Sequence, residues 1–130
     1  MKKLEVKGLI FVTADSCRAQ LERLTQILVS YFPGSTIYQH TALFRVPHDV
    51  LNHRVDAVLL GAEMEKTDSL ELLQKLRRQI PDLPVFILSQ TNAFREKAVA
   101  AGANGYFVLP ESEQHLLEAI RLARKKENVS

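Results

Sequence analysis

The sequence predicts an α/β fold built on a doubly wound parallel sheet, and three observations predict it. Short, nearly continuous apolar runs such as Leu9-Ile10-Phe11-Val12 and Val55-Asp56-Ala57-Val58-Leu59-Leu60 have the character of strands covered on both faces. Between these runs, leucines recur at helical spacing, as in Leu21, Leu24 and Leu28. The two patterns alternate along the whole chain, which is the signature of crossover units and a parallel sheet.

The first strand is expected at Leu9–Val12. Asp15 or Ser16 has the chemistry to cap the following helix, whose buried stripe reads Leu21, Leu24, Leu28 and then Tyr31 or Phe32. Pro33-Gly34 stops that helix. Thr36-Ile37-Tyr38 reads as a second strand, less apolar than the others and so placed at a sheet edge. Pro47 suits the first turn of a short helix holding Val50 and Leu51. Val55–Leu60 is the third strand. Thr67 or Asp68 caps a helix with Leu70, Leu73, Leu76 and Ile80 on one face, ended by Pro81. Pro84–Leu88 is the fourth strand. A short helix over Asn92–Ala101 closes at Gly102, well placed as a C-cap. Gly105–Val108 is the fifth strand, and Ser112 caps a last helix that buries Leu116, Ile120 and Ala123.

With 130 residues, 46% hydrophobic and 25% charged, the chain has the size and composition of one globular domain, read as 1–130 with a core at about 7–126. A net charge of +2 gives no strong field for nucleic acid. The basic cluster Arg121, Arg124, Lys125 and Lys126 sits where cations oppose the dipole of the last helix. The single cysteine, Cys17, excludes an internal disulfide and fits a reducing compartment. No apolar run reaches membrane-spanning length, and Met1-Lys2-Lys3-Leu4-Glu5 is too polar for a signal peptide, so a cytoplasmic location is expected. His40, His48, His53 and His115 lack metal-ligand spacing, and no Gly-rich phosphate loop or C-x-x-C occurs.

A sheet of this kind has strand order 2-1-3-4-5, which puts its crevice between the first and third strands, beyond their C-terminal ends. The residues expected there are Thr13, Ala14, Asp15, Gly61, Ala62, Ser89 and Leu109.

Three segments carry a family resemblance. Val55-Asp56-Ala57-Val58-Leu59-Leu60-Gly61-Ala62-Glu63-Met64 runs into Asp68-Ser69-Leu70-Glu71-Leu72-Leu73; Leu83-Pro84-Val85-Phe86-Ile87-Leu88-Ser89 follows, then Ala101-Gly102-Ala103-Asn104-Gly105-Tyr106-Phe107-Val108-Leu109-Pro110. The chain resembles the response-regulator receiver domains of two-component systems over nearly its whole length, most strongly from Val55 to Ile120. The resemblance implies a flavodoxin-like (βα)5 fold and a cis peptide at Leu109-Pro110. It also implies a phosphoacceptor aspartate at position 61, an acidic pair at positions 13 and 14, a hydroxyl at Ser89 and a lysine at position 109. This sequence has Gly61, Thr13, Ala14 and Leu109 instead, and only Ser89 matches. Without nucleophile, metal pair and lysine, the crevice reads as a degenerate phosphoacceptor site in a pseudo-receiver, with no catalysis, no cofactor and no Mg²⁺ expected.

Asp15 reads as a helix cap and Glu63 as a solvated loop residue. Together they form, in the alternative reading, a thin metal site or a non-standard phosphoacceptor. The crevice is expected to be collapsed, with a small-molecule pocket as the other reading. The resemblance places partner docking on the fourth helix, fifth strand and fifth helix, where Phe94, Arg95, Tyr106, Leu117, Arg121 and Leu122 form a candidate interaction face. The implied partners are signalling proteins (a histidine kinase, a response regulator or an output domain), with no membrane and no direct nucleic-acid contact, and a homodimer through that face is a further expectation. The alternative role is the regulatory domain of a larger DNA-binding transcription regulator.

Overall fold

The computed structural model describes residues 8–64 and 68–129, with side chains described up to residue 124. Five parallel strands, β1 (Ile10–Ala14), β2 (Thr36–His40), β3 (Ala57–Gly61), β4 (Val85–Ser89) and β5 (Gly105–Val108), form one sheet in the order β2-β1-β3-β4-β5. The helices are α1 (Arg18–Tyr31), α2 (Val46–Asn52), α3 (Ser69–Gln79), α4 (Arg95–Ala101) and α5 (Glu113–Val129), with a 3-10 turn at Leu43–Arg45. This is the flavodoxin-like arrangement expected from the sequence.

Side-chain alternation along the strands builds a core on each face. Val12, Ala14, Val58, Leu60, Val85 and Ile87 pack with Val46 and Val50 of α2, Leu73 and Leu76 of α3, and Ala98 and Ala101 of α4. Phe11, Ala57, Leu59, Phe86 and Leu88 pack with Leu24 and Leu28 of α1 and Leu116, Leu117 and Ile120 of α5. Strands β3 and β4 are buried end to end because helices cover them on both sides.

Local chemistry sets the element ends. The carboxylate of Asp68 accepts from the N–H groups of Leu70 and Glu71 and caps α3; the alternative cap, Thr67, lies outside the described residues. Gly102 ends α4 in a left-handed conformation at φ 102°, which a side chain would strain. Arg77 ties the bottom of the sheet together. Its guanidinium donates to the carbonyls of Gly102, Pro81 and Leu83 and to Oδ1 of Asn104, which also accepts from the Val85 N–H.

Several boundaries move. β1 starts at Ile10 and runs on to Ala14, because the Ile10 N–H is held by Asp56 Oδ2 at 2.8 Å and pairing with β3 continues to Leu60. α4 begins at Arg95 rather than Asn92, whose carbonyl instead closes a turn onto the Arg95 N–H. Leu51 is not a core residue. It is 67% exposed, since one turn of α2 buries Val46 and Val50 and turns Leu51 outward. At the end of α1 it is Phe32 that is buried, with Tyr31 at the surface.

Candidate functional site

The strand C-termini meet where β1, β3 and β4 present Ala14, Gly61 and Ser89. Backbone bonds set the loops above them: the Asp15 N–H donates to the His40 carbonyl, the Ala62 N–H to Leu88, and the Leu109 N–H to Ser89. A cavity of about 270 Å³ opens beside these ends, bounded by α1 and the residue after β5. Its floor and wall are Ala14, Leu24, Ile27, Leu88 and Leu109; its polar rim includes Asp15, Gln20, Arg23, Glu63 and Ser89. The crevice is therefore open, not collapsed, because the short side chains of Ala14 and Ser89 leave the space under α1 unfilled.

Gly61 carries no side chain, and Asp15 fills the place where one would be. A Cβ on Gly61 would lie 2.7 Å from Asp15 Oδ2 and 3.1 Å from its Cγ. Asp15 is fixed there by its other oxygen, since Oδ1 accepts the Cys17 N–H at 2.8 Å. This is a turn bond just ahead of α1: Cys17 is the N-cap residue, and neither Asp15 nor Ser16 caps the helix by its side chain. The Ser16 hydroxyl instead donates to the Glu63 carbonyl at 3.3 Å.

Glu63 is exposed in the loop after β3, as expected, and its carboxylate reaches the Ser89 hydroxyl at the crevice edge. The Ser89 hydroxyl donates to its Oε2 at 2.8 Å and accepts from the Thr91 N–H. Burial pushes the Asp15 carboxyl above its ordinary range, the Cys17 N–H bond pulls it back, and the nearby Glu63 carboxylate raises it further. The crevice thus gathers two carboxylates, one partly desolvated, around the end of β3. No group of three or more potential metal ligands occurs among the described residues.

Thr13 is not at this site. It is fully buried inside β1, and its hydroxyl has no hydrogen-bond partner among the described residues. The lengthened first strand moves the crevice position to Ala14 and Asp15. Leu109 is half-buried against the α1/α5 core and is joined to Pro110 by the expected cis peptide.

The candidate interaction face divides. Tyr106 is buried, donating its hydroxyl to the Thr91 carbonyl at 2.6 Å, while the Arg95 guanidinium stacks over its ring at 4.9 Å. Phe94 is half-buried against the α2–α4 core. Leu117 does not belong to a surface, being buried between α5 and the sheet. Arg121 pairs with Glu118 and has Tyr31 of α1 as a neighbour, so it faces α1 rather than α4. Among the described residues, the exposed large apolar groups of α4 and α5 are Val99 and Leu122. Arg124 of the basic cluster lies 3.7 Å from Asp56; the side chains of Lys125 and Lys126 lie outside the described residues.

Sequence reasoning missed the α1 side of the cavity. Gln20 and Ile27 flank Leu24 of the buried stripe, at spacings of four and three, and that spacing was its available signal. It also missed a buried Asp49 paired with His40 Nε2, a contact across the turn from β2 into α2. None of the described helices is long and apolar enough to cross a membrane.

The family model for the response regulator receiver domain matches residues 10–121. Response regulator MprA of Mycobacterium ulcerans (strain Agy99) is 31% identical over 112 residues, covering 85% of this chain and 47% of that protein. Response regulator MprA of Mycobacterium sp. (strain KMS) is 34% identical over 74 residues, covering 55% of this chain and 32% of that protein. The chain spans less than half the length of these curated relatives. Among solved structures, the signal receiver domain of an HD domain-containing protein from Pseudomonas fluorescens Pf-5 superposes with a TM-score of 0.83 at 23% identity, covering 95% of this chain and all (100%) of that one. A receiver domain protein from Clostridium thermocellum superposes at 0.81 with 18% identity, covering 93% of this chain and 98% of that one. The structural likenesses carry the fold, and the family model carries the membership. The chain belongs to the response-regulator receiver-domain family of two-component signalling.

Proposed function

We propose that this chain is a pseudo-receiver: a signalling module that works through protein–protein contact without being phosphorylated. One observation carries the reading. The end of β3 is Gly61, and the space its side chain would need is occupied by the Asp15 carboxylate. Phosphoryl transfer needs a carboxylate aimed in line at phosphorus and cations to offset the developing charge. Here the strand end has no nucleophile, Leu109 supplies no cation, and the Ser89 hydroxyl is engaged by Glu63. The module is not a catalyst. Its partners are other signalling proteins, reached through surface that does not depend on the crevice's phosphorylation state, and it does not itself bind nucleic acid.

The test is a mass spectrum after incubation with a small phosphodonor and Mg²⁺. The unmodified mass is expected. Stoichiometric aspartyl or glutamyl phosphate would overturn the reading.

A second reading is favoured by the same contact. Asp15 Oδ2 lies where a side chain at 61 would start, beside Glu63, so either carboxylate is a candidate non-standard phosphoacceptor. It predicts phosphoryl uptake that Asp15→Asn or Glu63→Gln abolishes, and absence of uptake in the parent protein disposes of it.

A further inference from the structure

The crevice has a chemical character of its own. Its depth is apolar, formed by Leu24 and Ile27 on α1, Leu88 on β4 and Leu109 after β5, and its volume of about 270 Å³ admits a small organic group. At one side of the mouth stand two carboxylates, Asp15 over Gly61 and Glu63 on the Ser89 hydroxyl. Arg23 is the one basic side chain among the described lining residues, and it lies at the rim, 3.6 Å from Glu113 of α5. Two neighbouring carboxylates, one of them half-buried, call for a positive charge. A bare divalent ion meets only these two acidic ligands among the described residues and gains nothing from the apolar wall. A cation attached to a hydrocarbon chain uses both parts of the cavity.

We propose that the crevice is a binding site for an alkylammonium group, with the ammonium seated between Asp15 and Glu63 and the carbon chain lying along Leu24, Ile27, Leu88 and Leu109. An ammonium supplies three donors, enough for both carboxylates and for the Gln20 or Gln90 amide oxygen at the mouth. The same chemistry is offered by a free primary amine and by the lysine side chain of a partner protein. Binding stabilises Asp15 in its ionised form, so occupancy couples to the conformation of the loop that leads into α1.

The experiment is an amide and methyl NMR titration of the whole chain with hexylamine, matched against hexanol, methylamine and a lysine blocked at both ends. The expected result is saturable shifts at Asp15, Glu63 and Ser89 and at the Leu24, Ile27 and Leu109 methyls. Affinity falls about tenfold for hexanol, and roughly threefold or more for each buried methylene removed toward methylamine. Asp15→Asn and Glu63→Gln each weaken hexylamine about tenfold, with the spectrum otherwise unchanged showing that the variants are folded. Blocked lysine binding as well as hexylamine assigns the site to a partner's side chain, whereas hexylamine binding alone assigns it to a free amine. Equal binding of hexanol and hexylamine, insensitivity to both carboxylate variants, or no saturable shift would each overturn the proposal. Amine binding and phosphoryl uptake are read separately, so failure of either leaves the other standing.

Discussion

Replacing Gly61 with alanine asks whether Asp15 truly occupies the missing side chain's place. The backbone at 61 does not have the positive φ that a side chain would strain, so alanine is conformationally admissible. With nothing in the way, such a change stabilises by about 0.4–1 kcal/mol through the unfolded chain. The new Cβ, however, would stand 2.7 Å from Asp15 Oδ2, and the Ala14 carbonyl at 3.5 Å is only in ordinary contact. Asp15 must therefore shift, and the expected cost of its turning outward is the 2.8 Å bond from the Cys17 N–H. A charge-assisted bond of this kind is worth about 1.5–3 kcal/mol, and the carboxylate recovers part of that by rehydration. Gly61→Ala is expected to cost about 1 kcal/mol in the parent protein and to be neutral or stabilising in an Asp15→Ala background. Urea denaturation of the four proteins closes the cycle, with an expected coupling of about 1–2 kcal/mol. The same Gly61→Ala effect in both backgrounds would refute the contact, and with it the reason for treating Gly61 and Asp15 as one unit.

Three other perturbations follow from single contacts. Thr13→Val replaces a buried hydroxyl that has no partner among the described residues by a methyl of the same shape, so stability rises by about 1 kcal/mol in chemical denaturation; a loss would mean the hydroxyl is satisfied. Arg77→Lys exchanges a planar fork bonded to Gly102, Pro81, Leu83 and Asn104 for one ammonium, and is expected to cost about 2–3 kcal/mol, while a cost below about 0.5 would deny it that role. Asp15→Asn keeps an oxygen for the Cys17 N–H and removes a half-buried charge whose folded-state pKa is raised, chiefly by burial. The folded parent binds a proton more readily than the unfolded chain, so its stability falls as pH rises through that folded-state value. The variant should therefore melt higher at neutral pH, and the two melting curves should converge on acidification; a gap that widens in acid would contradict the sign.

The order of elements was legible because each strand and helix carries its own local pattern. Pro33-Gly34, Pro81 and Gly102 punctuate it without help from distant residues. Gly105–Val108 falls where the apolar run puts it. The end of β1 was not legible, since it is set by pairing of Thr13 and Ala14 with Leu59 and Leu60, some forty-six residues away. That shift is why Thr13 is a core residue and Asp15 the crevice residue. Leu117 and Leu122 look alike in sequence, and only the packing of α5 against the sheet separates a buried leucine from an exposed one. Gly61 and Leu109 could be read directly. The Asp15 carboxylate over Gly61 and the Ser89–Glu63 bond could not, because both depend on how two loops fold over one strand end. The open cavity was unreadable for a similar reason: whether small side chains leave a hole or a collapsed seam depends on where α1 comes to rest.

The central claim is that the phosphorylation switch is silent, and a two-dimensional amide NMR titration with Mg²⁺ and beryllofluoride, a mimic of the phosphoryl group, tests it most directly. The account predicts that the peaks of Gly61, Ser89 and Tyr106 stay where they are, since Asp15 fills the acceptor position and Tyr106 is held by Thr91 and Arg95. Saturable shifts running from Gly61 and Ser89 to Tyr106 would contradict it, and would make Asp15 and Glu63 the groups that carry the phosphoryl mimic.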